Sequence, residues 1–301
     1  MRILHIDTGR EMRGGQHQVL LLMKGLRDAG CECILVARPG GPLHRAAENQ
    51  GFPVRVARLR PIFEASGKAD LVHAHDGLGH TLAALAARAP LVVSRRVAFP
   101  IRHSLASAWK YRRPARFIAI SECVRRELRR AGVPGEKIDV VPDGVEMGNG
   151  PGAWKPDGPV VALASRDPRK GRDLVERAAR ISGCKVIFSE ALVCDLAGAS
   201  MFVYISSSEG LGSAALLAMS LGVPVIASRA GGLSEAVADG VSGILVDNDA
   251  EEVARAMCRL SGDPALARSL AEGAKARVAE FFSREKLVSG TLASYRRVLA
   301  G

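Results

Sequence analysis

The sequence predicts an α/β protein built from two parallel-sheet domains. Three observations carry this. Short runs rich in Val, Ile and Leu alternate with helical patterns along the whole chain, 301 residues is the length of two ordinary domains, and a Gly/Pro-rich stretch without periodicity interrupts the middle. Strands covered on both faces read as continuous aliphatic runs. Such runs fall near 2–7, 32–37, 53–58, 70–75, 90–94, 115–120 and 138–142 in the first half, and near 159–165, 184–188, 200–205, 223–228 and 243–246 in the second.

The helix after the first run is the clearest. Val19, Leu22, Met23 and Leu26 share one face from about Gly15 to Ala29, and Gly30 stops it. The aperiodic stretch MGNGPGAWKPDG reads as a linker over 147–158. It separates a first domain of 1–146 from a second of 159–283, followed by a helical segment over 284–301.

Composition fits a globular protein, with 48% hydrophobic, 24% charged and 4% aromatic residues, enough aliphatic side chain for two cores. The chain opens directly on MRILHID, without the succession of a signal peptide, so no cleaved leader is expected. The most apolar stretch, Ala214 to Ala227, is broken by Ser220, Gly222 and Pro224 well short of the roughly 20 residues of a spanning helix. Six cysteines (Cys31, Cys33, Cys123, Cys184, Cys194, Cys258) form no CxxC pair or metal spacing, which predicts reduced thiols and a cytoplasmic location. The net charge of +11 is concentrated from Arg95 to Arg130, where eleven Lys and Arg face only Glu122 and Glu127. Such a segment is either a solvated basic face or a contact for an anionic partner, namely nucleic acid, a phosphorylated glycolipid or an anionic membrane surface.

Open parallel sheets bind ligands beyond the carboxyl ends of their strands, so the loops after strands are where chemistry is expected. The most informative segment is FVYISSSEGLGSAALLAMSLGVPVIASRAGGLSEAVADGVSGILV, residues 202–246. A strand runs into SSSEGLG, whose small residues precede a helix near Ser213, a place where unpaired backbone N–H groups and the helix dipole favour a phosphate. The segment resembles the donor-site signature of glycosyltransferase family 4 through Glu209-Gly210-Leu211-Gly212, Gly222-Val223-Pro224-Val225, Gly231-Gly232 and Glu235. LASRDPRKGRDLVERAA, residues 163–179, resembles the same family's diphosphate loop, with Arg166 and Lys170 at the cationic positions. GREMRGGQHQV, with Gly14 and Gly15 before a helix, is similar to the family's first glycine loop. ADLVHAHD, residues 69–76, is similar to its strand ending at His75. RFIAISECVRREL and KIDVVPDGVE likewise resemble the signature that closes its first domain, Ser121 being a candidate N-cap.

The resemblance implies the GT-B fold, two Rossmann-like domains facing across a cleft, with the segment near Arg284 to Leu299 crossing back to the first. It implies a retaining, metal-independent glycosyltransferase with no cofactor, moving a sugar from a nucleotide-sugar to a glycan or glycolipid acceptor such as lipopolysaccharide or another cell-envelope saccharide. Glu209 would hold donor hydroxyls and His75 would line the reacting centre. Arg166, Lys170, Gly210, Leu211, Gly212 and Gly15 would bind the donor, while Gly14, Arg95 and Arg96 fall on the acceptor or cleft side. A fixed Arg and Lys suit a leaving diphosphate because its charge develops in the transition state. Two departures stand out: Leu217 occupies the position of a second family Glu, and the interval from Arg166 to Glu209 is short by a strand-helix unit. They leave open a non-catalytic sugar-nucleotide or glycan binder, and a nucleotide-sugar epimerase of the same fold. No nucleic acid partner is expected, and peripheral attachment to the inner face of a membrane is consistent with the basic segment.

Two metal readings are set aside. His73, His75, Asp76 and His80 resemble a ligand cluster, but every histidine lies at or before His103, so the second half supplies none. Asp247-Asn248-Asp249 has a DxD form, yet Asp249 followed by Glu252 is the spacing of a helix cap.

Overall fold

The computed structural model describes residues 1–102, 104–148 and 154–300, and separates into two compact units, Met1–Asp143 with Arg284–Gly301, and Gly144–Ser283. Of the linker predicted over 147–158, residues 149–153 lie outside the described residues.

The first unit holds a seven-stranded parallel sheet: β1 (Arg2–Asp7), β2 (Glu32–Ala37), β3 (Val54–Val56), β4 (Leu71–Ala74), β5 (Leu91–Arg95), β6 (Arg116–Ala119) and β7 (Ile138–Val140). Helices α1 (Gly14–Asp28), α2 (Pro42–Asn49), α3 (Leu59–Ser66), α4 (Gly77–Ala86), α5 (Leu105–Arg112) and α6 (Glu122–Arg130) join successive strands. Every described strand lies where an aliphatic run predicted it, the three-residue β3 being shorter than its run. The order is β3-β2-β1-β4-β5-β6-β7, so the chain winds outward from β1, returns to β4 and winds the other way. The switch point lies between β1 and β4, where diverging loops leave a crevice at the carboxyl edge.

The second unit has five parallel strands, β8 (Val160–Leu163), β9 (Val186–Ser189), β10 (Met201–Tyr204), β11 (Val225–Ser228) and β12 (Ile244–Val246), in the order β12-β11-β10-β8-β9. Its helices are α7 (Arg172–Ser182), α8 (Leu192–Leu196), α9 (Ser213–Ser220), α10 (Leu233–Ala236), α11 (Ala250–Gly262) and α12 (Pro264–Phe281). The switch point falls between β8 and β10. Between Arg166 and Glu209 the chain forms β9 and β10 with α7 and α8. Trp154 anchors the start of this unit by donating its indole N–H to the Ser200 carbonyl at 2.9 Å. Val145 pairs with Ser283, so both ends of the unit leave it side by side.

The last helix, α13 (Arg284–Leu299), belongs to the first unit and lies against α1. Leu287, Val288 and Tyr295 join the same core as Val19, Leu22, Met23 and Leu26. The contact depends on a missing side chain, since a Cβ placed on Gly25 would come within 2.3 Å of Val288 Cγ2. Gly25→Ala is therefore expected to destabilise by about 1–3 kcal/mol through overpacking, despite the better helix propensity of alanine. Val288→Ala in the same chain should return part of that loss, as urea denaturation of both single variants and the double would show.

Candidate functional site

In the second unit, three loops converge at the carboxyl edge beside the switch point. The loop after β8 carries Arg166 to Lys170, the loop after β10 carries Ser206 to Gly212, and the loop after β11 carries Gly231-Gly232. The Arg169 carbonyl accepts from Ser206 Oγ (3.1 Å) and Ser207 N (2.9 Å), tying the first loop to the second. Gly232 N donates to the Glu209 carbonyl at 2.9 Å, tying the second to the third. Only glycine fits there, because a Cβ on Gly232 would lie 2.0 Å from the Gly210 carbonyl oxygen. Below them Ser206 N donates to Ser228 Oγ (2.8 Å), Ser228 Oγ to Asn248 Oδ1 (2.6 Å), and Asn248 Nδ2 to the Ser206 carbonyl (3.3 Å). Asn248 is thus structural, and Asp249 caps α11 by accepting from Glu252 N, as its spacing predicted.

Within this frame Lys170 Nζ forms an ion pair with Glu209 Oε1, their side chains 27% and 12% exposed. The two residues expected to serve different parts of a donor are paired with each other. Lys170 Nζ also donates to Tyr204 Oη at 3.3 Å. Burial, followed by the Glu209 charge, pushes the Tyr204 hydroxyl well above its ordinary value, so it stays protonated. Sequence reasoning missed Tyr204, which reads there as one more residue of a buried strand. Arg166 is exposed and makes no ion pair among the described residues. Arg169 instead grips Asp167, holding that carboxyl down to about 2. Leu211 is buried and anchors the loop by its side chain. Gly212 has φ +101° and provides no side-chain cap, so the first-turn amides of α9 are not claimed by a capping side chain. Leu217 is half-buried on that helix.

In the first unit the β1–β4 pairing sets His5 opposite His73. His5, His73 and His75 form a buried stack, with 3.9 Å between the His73 and His75 ring centroids. Arg96 Nη1 donates to His75 Nδ1 at 3.3 Å, and its Nε donates to Asp143 Oδ1 at 3.1 Å. An arginine only donates, so neutral His75 carries its proton on Nε2 and gives it to His5 Nδ1 at 2.9 Å. That leaves the proton of His5 on Nε2, a buried atom with no hydrogen-bond partner among the described residues. His73 lies between Tyr295 Oη (2.6 Å) and Ser94 Oγ (2.7 Å), linking α13 to β4 and β5.

The histidine triad that tertiary structure assembles differs from the cluster suggested by HAHDGLGH. Ligand atoms of His5, His73 and His75 lie within 4.8 Å of one another, while Asp76 caps α4 and His80 faces the Lys110 carbonyl. As a metal site the triad fits poorly. Both nitrogens of His73 and His75 are engaged, and the Arg96 cation bonds directly to one of them. A sequence signal for His5 existed in the matching strand ends HID and HAHD; none existed for Tyr295, 222 residues from His73.

Asp7 ends β1 and accepts from Gly9 N (2.9 Å) and Gln16 Nε2 (3.0 Å); burial, then the charge of Asp76, raises its carboxyl above the ordinary value. Gly14 and Gly15 open α1, and a Cβ on Gly15 would stand 3.8 Å from Arg96 Cδ. Arg95 holds its own loop, donating to Tyr111 Oη at 3.0 Å and to the Phe99 carbonyl. His75, both ring nitrogens occupied, is a buried member of the stack.

Comparison with known proteins agrees with this layout. The model for Glycosyltransferase Family 4 matches residues 12–148, and that for Glycosyl transferases group 1 matches residues 160–263. The D-inositol 3-phosphate glycosyltransferase of Streptomyces bingchenggensis is 42% identical over 104 residues, 34% of this chain and 23% of that protein. The alpha-maltose-1-phosphate synthase of Mycobacterium tuberculosis is 38% identical over 112 residues, 35% of this chain and 29% of that protein. The matches therefore span less than a third of these curated relatives. Anabaena HepE, solved in complex with UDP, matches with a TM-score of 0.85 at 18% identity, over 99% of this chain and 100% of that one. The chain belongs to the GT-B glycosyltransferases, with a family 4 first half and a group 1 second half.

The buried histidines have a consequence for stability. Desolvation lowers His5 and His80 to about 3 and His73 and His75 well below their ordinary 6.5. Below pH 6.5 the unfolded chain takes up protons that the folded chain refuses, so stability is retained above that pH and lost as it falls. The slope should approach about 1.4 kcal/mol per pH unit for each such histidine. Urea denaturation between pH 7.5 and 5 should show it, and His80→Gln should remove about one proton from the slope.

Proposed function

We propose that the protein transfers a sugar from a nucleotide-sugar donor to a glycan or glycolipid acceptor, with retention of configuration and without a metal ion. The observation that carries this is the convergence of Lys170, Glu209 and the glycine loop before α9 at the switch point of the second unit. The UDP and UDP-glucose complexes of HepE support a nucleotide-sugar donor. The curated relatives are, by their names, a D-inositol 3-phosphate glycosyltransferase and an alpha-maltose-1-phosphate synthase; a cell-envelope saccharide such as lipopolysaccharide is the acceptor class we favour, met in the cytoplasm at the inner face of a membrane.

In this reading the donor diphosphate takes Lys170 from Glu209. The Lys170 ammonium, the exposed Arg166 and the amides at Gly210–Ser213 then meet the leaving charge, while Glu209, released, accepts from sugar hydroxyls. Tyr204 Oη keeps a polar contact beneath both. The anomeric carbon–oxygen bond to the diphosphate breaks, the acceptor oxygen bonds to that carbon, and its proton passes to the departing diphosphate. The charge compensation by Arg166 and Lys170 is what supports a reaction that needs no metal, so transfer is expected to persist in excess EDTA.

Thermal-shift screening against UDP-, GDP-, ADP- and CMP-sugars identifies the donor, since a ligand of the native state raises apparent stability. Arg166→Ala and Lys170→Ala should each cost about 2–4 kcal/mol of transition-state stabilisation in kcat/KM, as expected for a major charge-stabilising contact. Unchanged steady-state kinetics in both would remove the assigned phosphate site. Glu209→Ala should abolish most transfer, and Leu217→Glu should leave it intact or tighten the donor by restoring a charged hydrogen bond worth roughly 1.5–3 kcal/mol. Donor binding without turnover or isomerisation would instead identify a non-catalytic binder, the reading that Leu217 favours.

A further inference from the structure

We propose that α5 and residues 97–102 before it dock the first unit on an anionic lipid bilayer. The basic stretch of the sequence divides in the structure. In α6, Arg125 is paired with Glu122 and Arg130 with Glu127, and Arg116 is paired with Asp139, so much of that charge is met within the protein. From Arg95 to Arg113 there is no acidic residue, and Arg102, Arg112 and Arg113 are exposed.

The same segment exposes apolar side chains. No residue of α5 is wholly buried; Leu105 is 92% exposed and Trp109 45%, one helical turn apart on the same face, and Val97 (42%) and Phe99 (41%) precede them. The inner side is fixed. Tyr111 stacks on Phe117 with 5.6 Å between centroids, and Lys110 Nζ donates to the Gly77 carbonyl at 2.6 Å, bringing exposed Leu78 beside the helix. The outward Leu105 and Trp109 therefore belong to a helix held in place, with cations at its end. None of the helices among the described residues is long and apolar enough to cross a membrane.

Charge complementarity selects the partner. Two copies of this face would bring the exposed Arg102, Arg112 and Arg113 of each together with no acidic residue between Arg95 and Arg113 to offset them, which disfavours self-association. Exposed Leu and Trp gain little against a hydrated polyanion, but they insert at the boundary of headgroup and acyl chain, where tryptophan is favoured and each nearby cation adds attraction to anionic lipid. The loop leaves the carboxyl end of β5, the edge that also holds Gly14 and Arg96. Resting on the transferase reading, a membrane-borne glycolipid is the acceptor that such docking presents.

The chain has two tryptophans, so Trp154→Phe leaves Trp109 as sole reporter. With vesicles of phosphatidylglycerol and phosphatidylcholine, its emission should shift to the blue and be quenched by lipids brominated near the headgroup. Cosedimentation should fade as salt rises and be absent with phosphatidylcholine alone. Arg112→Glu with Arg113→Glu should weaken partitioning at least about 25-fold, from about fivefold per lost cation. Leu105→Ser with Trp109→Ser, measured by cosedimentation, should weaken it at least tenfold with unchanged melting temperature. No binding, equal binding to neutral vesicles, or binding indifferent to the Leu105 and Trp109 changes would overturn the proposal, the last showing a surface for polyanions. Concentration-dependent dimerisation that the same changes abolish would overturn it in favour of a self-interface. None of these readouts needs a donor sugar, so the transferase reading can fail while docking stands.

Discussion

The second unit is organised around one backbone contact, the approach of Gly232 to Glu209 and Gly210. Any side chain at Gly232 would occupy the place of the Gly210 carbonyl oxygen. With the loops this close, Gly232 N satisfies the Glu209 carbonyl, and the Glu209 carboxylate is directed toward Lys170. The serine and asparagine bonds beneath them satisfy polar groups that strand ends leave unpaired. Ser206 and Ser228 are buried and Asn248 closes the network from the surface, so each buried polar member finds a partner. The geometry of Glu209 and Lys170 therefore rests on a steric limit set by the absence of a side chain at Gly232.

The first unit solves a different problem. Three imidazoles and a guanidinium are packed at its switch point, where desolvation keeps the rings neutral and Arg96 is offset by Asp143. Burying the Arg96–Asp143 pair costs desolvation on both sides, and burial raises the Asp143 carboxyl above its ordinary value despite the cation. Such a pair is weak evidence for stability and better evidence for position. It fixes Arg96 over the start of α1, and the direction of donation from Arg96 sets the tautomers through His75 to His5. His75 thus joins Arg96 to His5 through its two ring nitrogens.

The two units use charge in opposite ways. In the loops after β8 and β10 a cation and a carboxylate neutralise each other. On α5 cations stand beside apolar side chains with no acid in the segment. The first arrangement balances its own charge; the second favours a partner that is both anionic and apolar.

The sequence by itself determined the strands, the first and last helices, and the loops in which polar chemistry would gather. These features are local: aliphatic runs, helical spacing, a capping Ser121 and Asp249, and glycines after strands all act within a few residues. Only tertiary structure decided which groups meet. Parallel strands join residues far apart in sequence, so His5 reaches His75 and Tyr295 reaches His73, across 70 and 222 residues. The pairing of Lys170 with Glu209, the contribution of Tyr204, and the division of the basic stretch into paired and unpaired parts were likewise invisible. Side-chain partnership depends on which strand ends the sheet order places side by side, and no local pattern encodes that order.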